Sequence, residues 1–248
     1  MYNHSTGKMK KIILSIIAAT AICCVSYAAT YMRVKKNDGT ITKFNTENVK
    51  AVTVEETATV SGKIGEYTYV DLGLPSGLKW ATCNVGASKP TEAGDLFAWG
   101  EVTTKDVYDY DNYKWVNADE EKMTKYCLKD QYGSVDNLEV LDSSDDAAKA
   151  NWGGTWRMPT YEDMTELVAG CTWVWTDDFN GSGVAGRIGT SKSNGNEIFL
   201  PATGYYWTSS LFISSNDQAY SLYNLKVVFE SNGSHFREDG ASVRAVSK

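Results

Sequence analysis

Hydrophobic and polar residues follow different patterns in successive parts of this chain. The segment from Ile12 to Val25 is almost wholly apolar, whereas residues 31–56 alternate between apolar and polar positions, as half-buried strands do. From Tyr67 onward, short apolar runs stand between long polar loops. The pattern therefore predicts an N-terminal apolar segment, then a β-ribbon, then one larger α+β domain.

The N-terminal segment has the three parts of an export signal. Lys8, Lys10 and Lys11 are basic, the apolar run Ile12 to Val25 follows, and Ser26-Tyr27-Ala28 offers small residues at a cleavage site. We predict that residues 1–28 are a signal peptide and that the mature protein begins at Ala29 or Thr30. The expected location is the cell surface, the periplasm or the medium.

The same apolar run is too short for a permanent membrane anchor. It has roughly 14 residues, whereas a transmembrane helix needs about 20. No membrane span is therefore expected. A lipid anchor at Cys23 or Cys24 is an alternative, although Ile22 and Cys23 stand where lipoprotein processing expects a small residue.

A β-ribbon is predicted directly after the signal peptide, in residues 29–56. Asn37-Asp38-Gly39 is typical of a hairpin turn and joins the predicted strands Met32 to Lys36 and Thr40 to Phe44. Val49 to Val54 is a third candidate strand. Residues 57–66 are predicted to be a linker to the domain at 67–248.

The larger domain is predicted to contain short strands, long loops and one or two helices. Thr160 has the character of a helix N-cap, with Asp163 at the capping-box position and Gly170 at the end of the helix. A second, shorter helix is possible at Ser143 to Asn151. The predicted strands are Tyr67 to Leu72, Leu78 to Cys83, Leu96 to Trp99, Ile198 to Pro201, Tyr220 to Phe229 and Ser242 to Val246.

Charge makes nucleic acid an unlikely class of partner. The full chain carries a formal charge of −7, and the predicted mature part has 21 basic and 31 acidic residues, or −10. A phosphate backbone requires a basic face, which this balance does not favour. We therefore predict no nucleic-acid partner.

Three cysteines remain after the predicted cleavage: Cys83, Cys127 and Cys171. Either all three are small buried hydrophobic residues, or one disulfide forms, with Cys83 and Cys171 the candidate pair. No zinc site is expected, because there is no CxxC spacing and the mature part has a single histidine, His235.

The sequence offers little support for catalysis, so we predict no catalytic residues, no metal and no cofactor. Gly181 to Gly186 fits GxGxxG, but no strand and helix flank it as a dinucleotide site requires. Asp142, Asp145 and Asp146, and likewise Asp177 and Asp178, could hold calcium or act as acid and base. Such clusters are more often helix caps and solvated loops.

Tryptophan–glycine pairs indicate a well-packed core, and Trp152 and Trp156 are expected to be buried against the helix that follows Thr160.

Several longer blocks are similar to the Fibrobacter succinogenes major paralogous domain. The blocks are Val70 to Gly86, Phe97 to Glu101, Asp145 to Ala148, Trp152 to Thr160, Ile198 to Ala202 and Ser242 to Arg244.

This resemblance implies a C-type-lectin-like fold, as in formylglycine-generating enzymes, with small twisted antiparallel sheets, one or two helices and long ordered loops. The enzymes of that superfamily use a C-terminal pair of metal-binding cysteines, and this chain has no cysteine after Cys171. The sequence therefore predicts that the protein is not an enzyme, with an enzyme of unknown type kept as an alternative.

The leading functional prediction is a noncatalytic exported module that binds glycan or protein through C-terminal loops. Two stretches, Leu211 to Gln218 and Ser231 to Glu238, are expected to be exposed loops that share one patch. A structural subunit of a surface assembly, docked through residues 31–56, is the alternative. The predicted ligand-binding residues are Tyr205, Phe212, Asn216, Tyr223, Asn224, His235, Phe236 and Arg237.

Overall fold

The structure, a computed structural model, describes residues 61–248 and three N-terminal strands. The chain divides at residue 56 into two units. In the first, β1 (Ile22–Cys24), β2 (Tyr31–Lys35) and β3 (Ile41–Asn45) form an antiparallel sheet with β2 in the centre.

Two of these strands agree with the predicted ribbon to within one residue, since Tyr31 lies opposite Asn45 and Lys35 opposite Ile41. The strand β1 was not predicted, because it lies within the proposed signal peptide. The third candidate strand, Val49 to Val54, and residues 57–60 of the predicted linker lie outside the described residues. The rest of the predicted linker is described, and Ser61–Ile64 within it forms a strand that pairs with Tyr67–Asp71 of the larger domain.

Residues 61–248 of the second unit contain two α-helices, two short 3-10 helices (Tyr110–Asn112 and Phe179–Gly181) and fourteen short strands that form small sheets, which confirms the α+β class. The helices are α1 (Ala147–Trp152) and α2 (Tyr161–Gly170). The strands are β4 (Ser61–Ile64), β5 (Tyr67–Asp71), β6 (Lys79–Ala81), β7 (Leu96–Phe97), β8 (Val116–Asn117), β9 (Lys122–Met123), β10 (Cys171–Thr176), β11 (Gly186–Ser191), β12 (Glu197–Pro201), β13 (Gly204–Leu211), β14 (Gln218–Asn224), β15 (Phe229–Phe236), β16 (Ala241–Ser242) and β17 (Val246–Ser247).

The largest sheet has the order β15-β14-β13-β16-β7, with antiparallel pairs except for β13 and β16, which run parallel. Two further sheets have the orders β10-β11-β12 and β17-β6-β5-β4, and β8 pairs with β9. The C-terminal strands β16 and β17 thus join two different sheets. This connection draws the end of the chain into the core.

Both predicted helices are present. The Thr160 side chain accepts a hydrogen bond from the Asp163 backbone, and the Asp163 carboxylate accepts one from the Thr160 backbone, so the capping box at the start of α2 is confirmed. Asp146 caps α1 by accepting a hydrogen bond from the Lys149 backbone at 2.9 Å. The aspartate near this helix is therefore a cap, as expected.

The core consists mainly of two apolar clusters. Trp156 is buried in the first, together with residues of α1, and Trp152 is half-buried and stacks on Tyr67 at 4.0 Å. The buried side chains of α2, Met164 and Leu167, belong to the second cluster. The prediction of a buried Trp156 is confirmed, but neither tryptophan belongs to the cluster of α2.

The strand prediction failed where local turn signals are weak. The predicted strand Tyr220 to Phe229 is in fact the end of β14, a tight turn at Leu225 to Val228, and the start of β15. Its turn contains no Gly, Pro or Asn, so nothing in the residue types marked it. In place of the predicted strand Ser242 to Val246, the structure has two short strands, β16 and β17, which residues 243–245 separate.

The candidate disulfide between Cys83 and Cys171 is absent, and Cys83, Cys127 and Cys171 are free thiols. Cys171 is buried in the second apolar cluster, where burial raises the pKa of its thiol to about 11. Cys83 is partly exposed and lies beside Thr82, whose hydroxyl is 3.7 Å from its sulfur. Cys127 is buried and free, which agrees with the alternative that the cysteines are small buried residues.

Candidate binding face

The strand β14 separates the predicted ligand-binding residues, because successive side chains of a strand point to opposite faces. Ala219, Ser221 and Tyr223 lie on one face, and Tyr220 and Leu222 on the other. The structure thus brings some of the eight predicted residues together and places the others elsewhere.

Three predicted residues from three strands meet on the first face. The Tyr205 ring stacks on the His235 imidazole with centroids 4.1 Å apart, and it meets the Tyr223 ring edge-on at 4.8 Å. All three are partly exposed. We call this group, Tyr205, Tyr223 and His235, the aromatic face.

A glycine makes the arrangement of these rings possible. A Cβ atom on Gly233 would lie 2.5 Å from the Tyr223 ring, so any larger residue would force that ring away. The Tyr223 hydroxyl donates a hydrogen bond to the Ser234 carbonyl at 2.6 Å. Tyr223 is therefore fixed over the neighbouring strand β15.

The floor of the aromatic face is a polar residue that the sequence did not suggest. Ser221 lies opposite Trp207 on β13 and opposite Gly233 on β15. It is fully buried, and its hydroxyl has no hydrogen-bond partner within residues 61–248. The alternation of Tyr205 with Trp207, and of Ser221 with Tyr223, is the period-2 signal that could have revealed this face.

The imidazole of His235 is the group of the aromatic face that can gain a charge near neutral pH. Its Nε2 lies 3.1 Å from a carboxylate oxygen of Asp239, four residues further along. Burial lowers the pKa of His235, and the nearby Asp239 carboxylate opposes that shift. The imidazole is therefore held toward its neutral form, which both stacks on a ring and exchanges hydrogen bonds.

The other two predicted aromatic residues lie away from this face. Phe212 contacts Tyr220 edge-on at 5.1 Å, and Tyr220 stacks on Tyr161 at 4.2 Å on the opposite side of β14. Phe236, at the end of β15, is 47 % exposed. Phe212 therefore belongs to a second aromatic group, of Tyr161, Tyr220 and Phe212.

Only one of the two predicted loops is a loop. Residues 212–217 connect β13 and β14, whereas most of Ser231 to Glu238 belongs to β15. The prediction for the second stretch was wrong because its polar residues are accommodated by cross-strand pairing, with Gln218 opposite Phe236 and Tyr220 opposite Ser234. Ser234 also donates its hydroxyl hydrogen to the Gln218 side chain at 2.6 Å.

Arg237 was predicted to bind ligand, but it is fully buried. Its guanidinium donates to the Tyr113 hydroxyl at 2.9 Å and to three backbone carbonyls. It also lies over aromatic rings, the nearest being Trp99 at 4.9 Å. Arg237 therefore organises the interior and has no part in the exposed surface.

The two predicted asparagines are buried as well, away from the exposed surface on which they were expected. Asn216 accepts hydrogen bonds from the Leu128 and Lys129 backbone through its side-chain oxygen, at 2.8 and 3.1 Å. Asn224 donates to the Leu200 and Pro201 carbonyls at 3.1 and 2.9 Å. A buried amide satisfies backbone groups that secondary structure leaves unpaired, which composition alone cannot distinguish from a ligand contact.

Three of the five aspartates considered for calcium or acid–base work are engaged in ion pairs, whereas Asp146 caps α1 and Asp178 accepts a hydrogen bond from the Gly183 backbone. Asp145 is buried, and its carboxylate binds Lys114 at 3.2 Å, Lys125 at 2.7 Å and the Tyr126 hydroxyl at 2.6 Å. Asp142 also binds Lys125, and Asp177 binds Lys226. Burial opposes ionisation of Asp145, but these donors hold its pKa below the usual value.

Within the part of the chain that the structure describes, no group of three or more His, Cys, Asp or Glu side chains is arranged to hold a metal ion. The described helices include none with the length and apolar character to cross a membrane. No protein-family model, curated protein or solved structure matches the chain.

Proposed function

We propose that this protein is a noncatalytic binding module and that it recognises glycan or protein through the aromatic face. The observation that carries the proposal is the convergence of Tyr205, Tyr223 and His235, from three different strands, into one partly exposed cluster. Rings with polar atoms supply large contact area at little conformational cost, which is why recognition surfaces favour them.

The surroundings of the face also support binding. The His235 imidazole adds a titratable group, which pairs with the Asp239 carboxylate at 3.1 Å. The Tyr223 hydroxyl is held by the Ser234 carbonyl at 2.6 Å, which fixes the position of its ring. The face therefore combines apolar area with a titratable group, and rigid strands hold its members.

The finer details of the proposal rest on the sequence. The blocks from Val70 to Arg244 support a C-type-lectin-like fold of the Fibrobacter succinogenes major paralogous domain kind. The N-terminal signal pattern supports export to the cell surface, periplasm or medium. N-terminal sequencing of protein recovered outside the cytoplasm tests the export, with Ala29 or Thr30 expected as the first residue.

Glycan and protein arrays probed with the purified protein test the binding function. Tyr205→Ala and His235→Ala are expected to lower the array signal at least tenfold while the protein stays folded. Tyr220→Ala is the matched control, because Tyr220 is a stacked aromatic residue on the other face of the adjacent strand. Equal losses in all three variants, or no loss from the first two, would exclude the aromatic face as the binding site.

A further inference from the structure

The turn between β14 and β15 presents an exposed apolar side chain in a rigid setting. Leu225 and Val228 exchange backbone hydrogen bonds of 2.9 and 3.3 Å, which leaves Lys226 and Val227 at the tip. The Val227 residue is 90 % exposed. Two-residue hairpin tips favour Asn-Gly, and neither tip residue here adopts a positive φ, so local turn preference does not explain a valine at this position.

Other residues hold this tip in place. The Arg187 guanidinium donates hydrogen bonds to the Leu225 and Lys226 carbonyls at 2.9 and 3.2 Å. The Lys226 ammonium pairs with Asp177 at 2.8 Å. Isolated exposed apolar residues are ordinary, but this one is pre-organised, which lowers the entropy lost when it inserts into a partner. We call Lys226 and Val227 the knob.

An apolar cavity is lined by residues of β11 and β12, together with Phe179, Val70, Thr82 and Pro90. It has a volume of about 120 Å³, and its walls include Pro90, Ile188 and Phe199, as well as Phe179, which stacks on Phe199 at 3.9 Å. A cavity of about 150 Å³ admits benzene, so this one is large enough for the isopropyl group of a valine. The exposed residue Glu197 lies at its edge.

The knob and the cavity cannot meet within one molecule. Arg187, which holds the knob, and Ile188, which lines the cavity, are neighbours on β11, so their side chains leave opposite faces of that sheet. Any filling of the cavity by Val227 is therefore intermolecular. Because the two surfaces differ, such a contact is head-to-tail and can repeat from one copy to the next.

We propose that copies of this protein associate head-to-tail, with Val227 of one copy inserted into the cavity bounded by Pro90, Ile188 and Phe199 of the next. The charges agree with this occupant, since the exposed Lys226 ammonium, which pairs with Asp177 of its own copy, would also approach Glu197 at the cavity edge of the next. One knob buries little area, so the association is weak and concentration-dependent. It is independent of the aromatic face and of any ligand bound there.

Sedimentation velocity over a wide concentration range tests the proposal. The unmodified protein is expected to form species larger than a dimer as concentration rises. Val227→Asp should raise the apparent dissociation constant at least tenfold. Val107→Asp, at another valine that is 59 % exposed, is the matched control and should change nothing. A protein that stays monomeric at every concentration, or equal effects of the two substitutions, overturns the proposal.

Complementation distinguishes head-to-tail contact from other modes. Ile188→Trp fills the cavity but keeps the knob, whereas Val227→Asp keeps the cavity. Each variant alone should be monomeric, and their mixture should form one-to-one dimers that do not grow. Should Ile188→Trp not fold, Glu197→Arg at the exposed edge of the cavity replaces it in the mixture, because it keeps the knob and opposes Lys226 of an incoming copy. Failure of the mixture to form dimers would overturn the proposal.

Discussion

Arg237 and His235 lie two residues apart at the end of β15, and both contact aromatic rings, yet they are opposite kinds of site. Arg237 is fully buried, and all three of its guanidinium nitrogens donate to protein oxygens. His235 is partly exposed, stacks on Tyr205 and meets a single carboxylate, Asp239. Two basic residues beside aromatic rings thus differ in role: Arg237 stabilises the interior, and His235 contributes to a partly exposed surface.

The difference lies in how fully the protein itself satisfies each polar group. The guanidinium of Arg237 makes four hydrogen bonds to protein oxygens and is fully buried. The aromatic face leaves part of each ring exposed and one buried hydroxyl, that of Ser221, unpaired. Substitutions in the interior should therefore change stability, and substitutions on the face should change binding.

The largest loss of stability is expected for Arg237→Met. It leaves the carbonyls of Lys125 and Asn216 without their donor in a buried site, and it removes the contact with the Trp99 ring. We expect unfolding free energy to fall by about 5 kcal/mol, measured by urea denaturation. Arg237→Lys keeps the charge but not the planar fork, and should lose about half as much. A loss below about 1 kcal/mol would contradict the interior role.

A slightly smaller loss is expected for Trp156→Ala. The ring is buried in the first apolar cluster, and its indole nitrogen donates to the Ile64 carbonyl at 3.0 Å. The cavity left behind should lower stability by about 4 kcal/mol, while array binding by the folded fraction stays unchanged. Trp152→Ala, at the half-buried neighbour, is the matched control with a smaller loss. Equal losses would contradict the difference in burial.

An intermediate effect is expected for Asp145→Asn. The substitution leaves Lys114 and Lys125 without their shared carboxylate, and the partial exposure of both lysines limits the loss to about 2 kcal/mol. The folded-state pKa of Asp145 is lowered from 3.8, so its contribution is present above that pH and is lost as pH falls below it. Wild type and variant should therefore converge in stability at low pH. A constant difference down to pH 2 would contradict this assignment.

The sequence predicted what depends on local signals. Both the capping box at Thr160 and Asp163 and the turn signal Asn37-Asp38-Gly39 depend on residues close together in the chain. The helix that follows Thr160 and the two paired strands on either side of the turn signal were found near their predicted positions. The class of the domain followed from the spacing of short apolar runs.

The division between interior and surface could not be predicted in the same way. Arg237, Asn216 and Asn224 have the composition of a recognition loop, but their partners lie far away in sequence, as Asn216 and Leu128 show. The strand β15 was missed because Gly233 and its polar neighbours carry no strand signal until β14 pairs with them. The aromatic face itself depends on that pairing.

The smallest effect, and the one most specific to the aromatic face, is the pH dependence that His235 contributes. Burial lowers its folded-state pKa below 6.5, so the unfolded chain binds the proton more tightly. Stability from this group is complete above about pH 6.5 and falls as pH decreases toward the folded-state pKa, where the loss levels off. His235→Gln should remove this slope between pH 5 and 7 in urea denaturation. Asp239→Asn should steepen it instead, because the Asp239 carboxylate favours the charged imidazole. If His235→Gln left the slope intact, another group would be titrating, and the imidazole would not be held neutral against Tyr205.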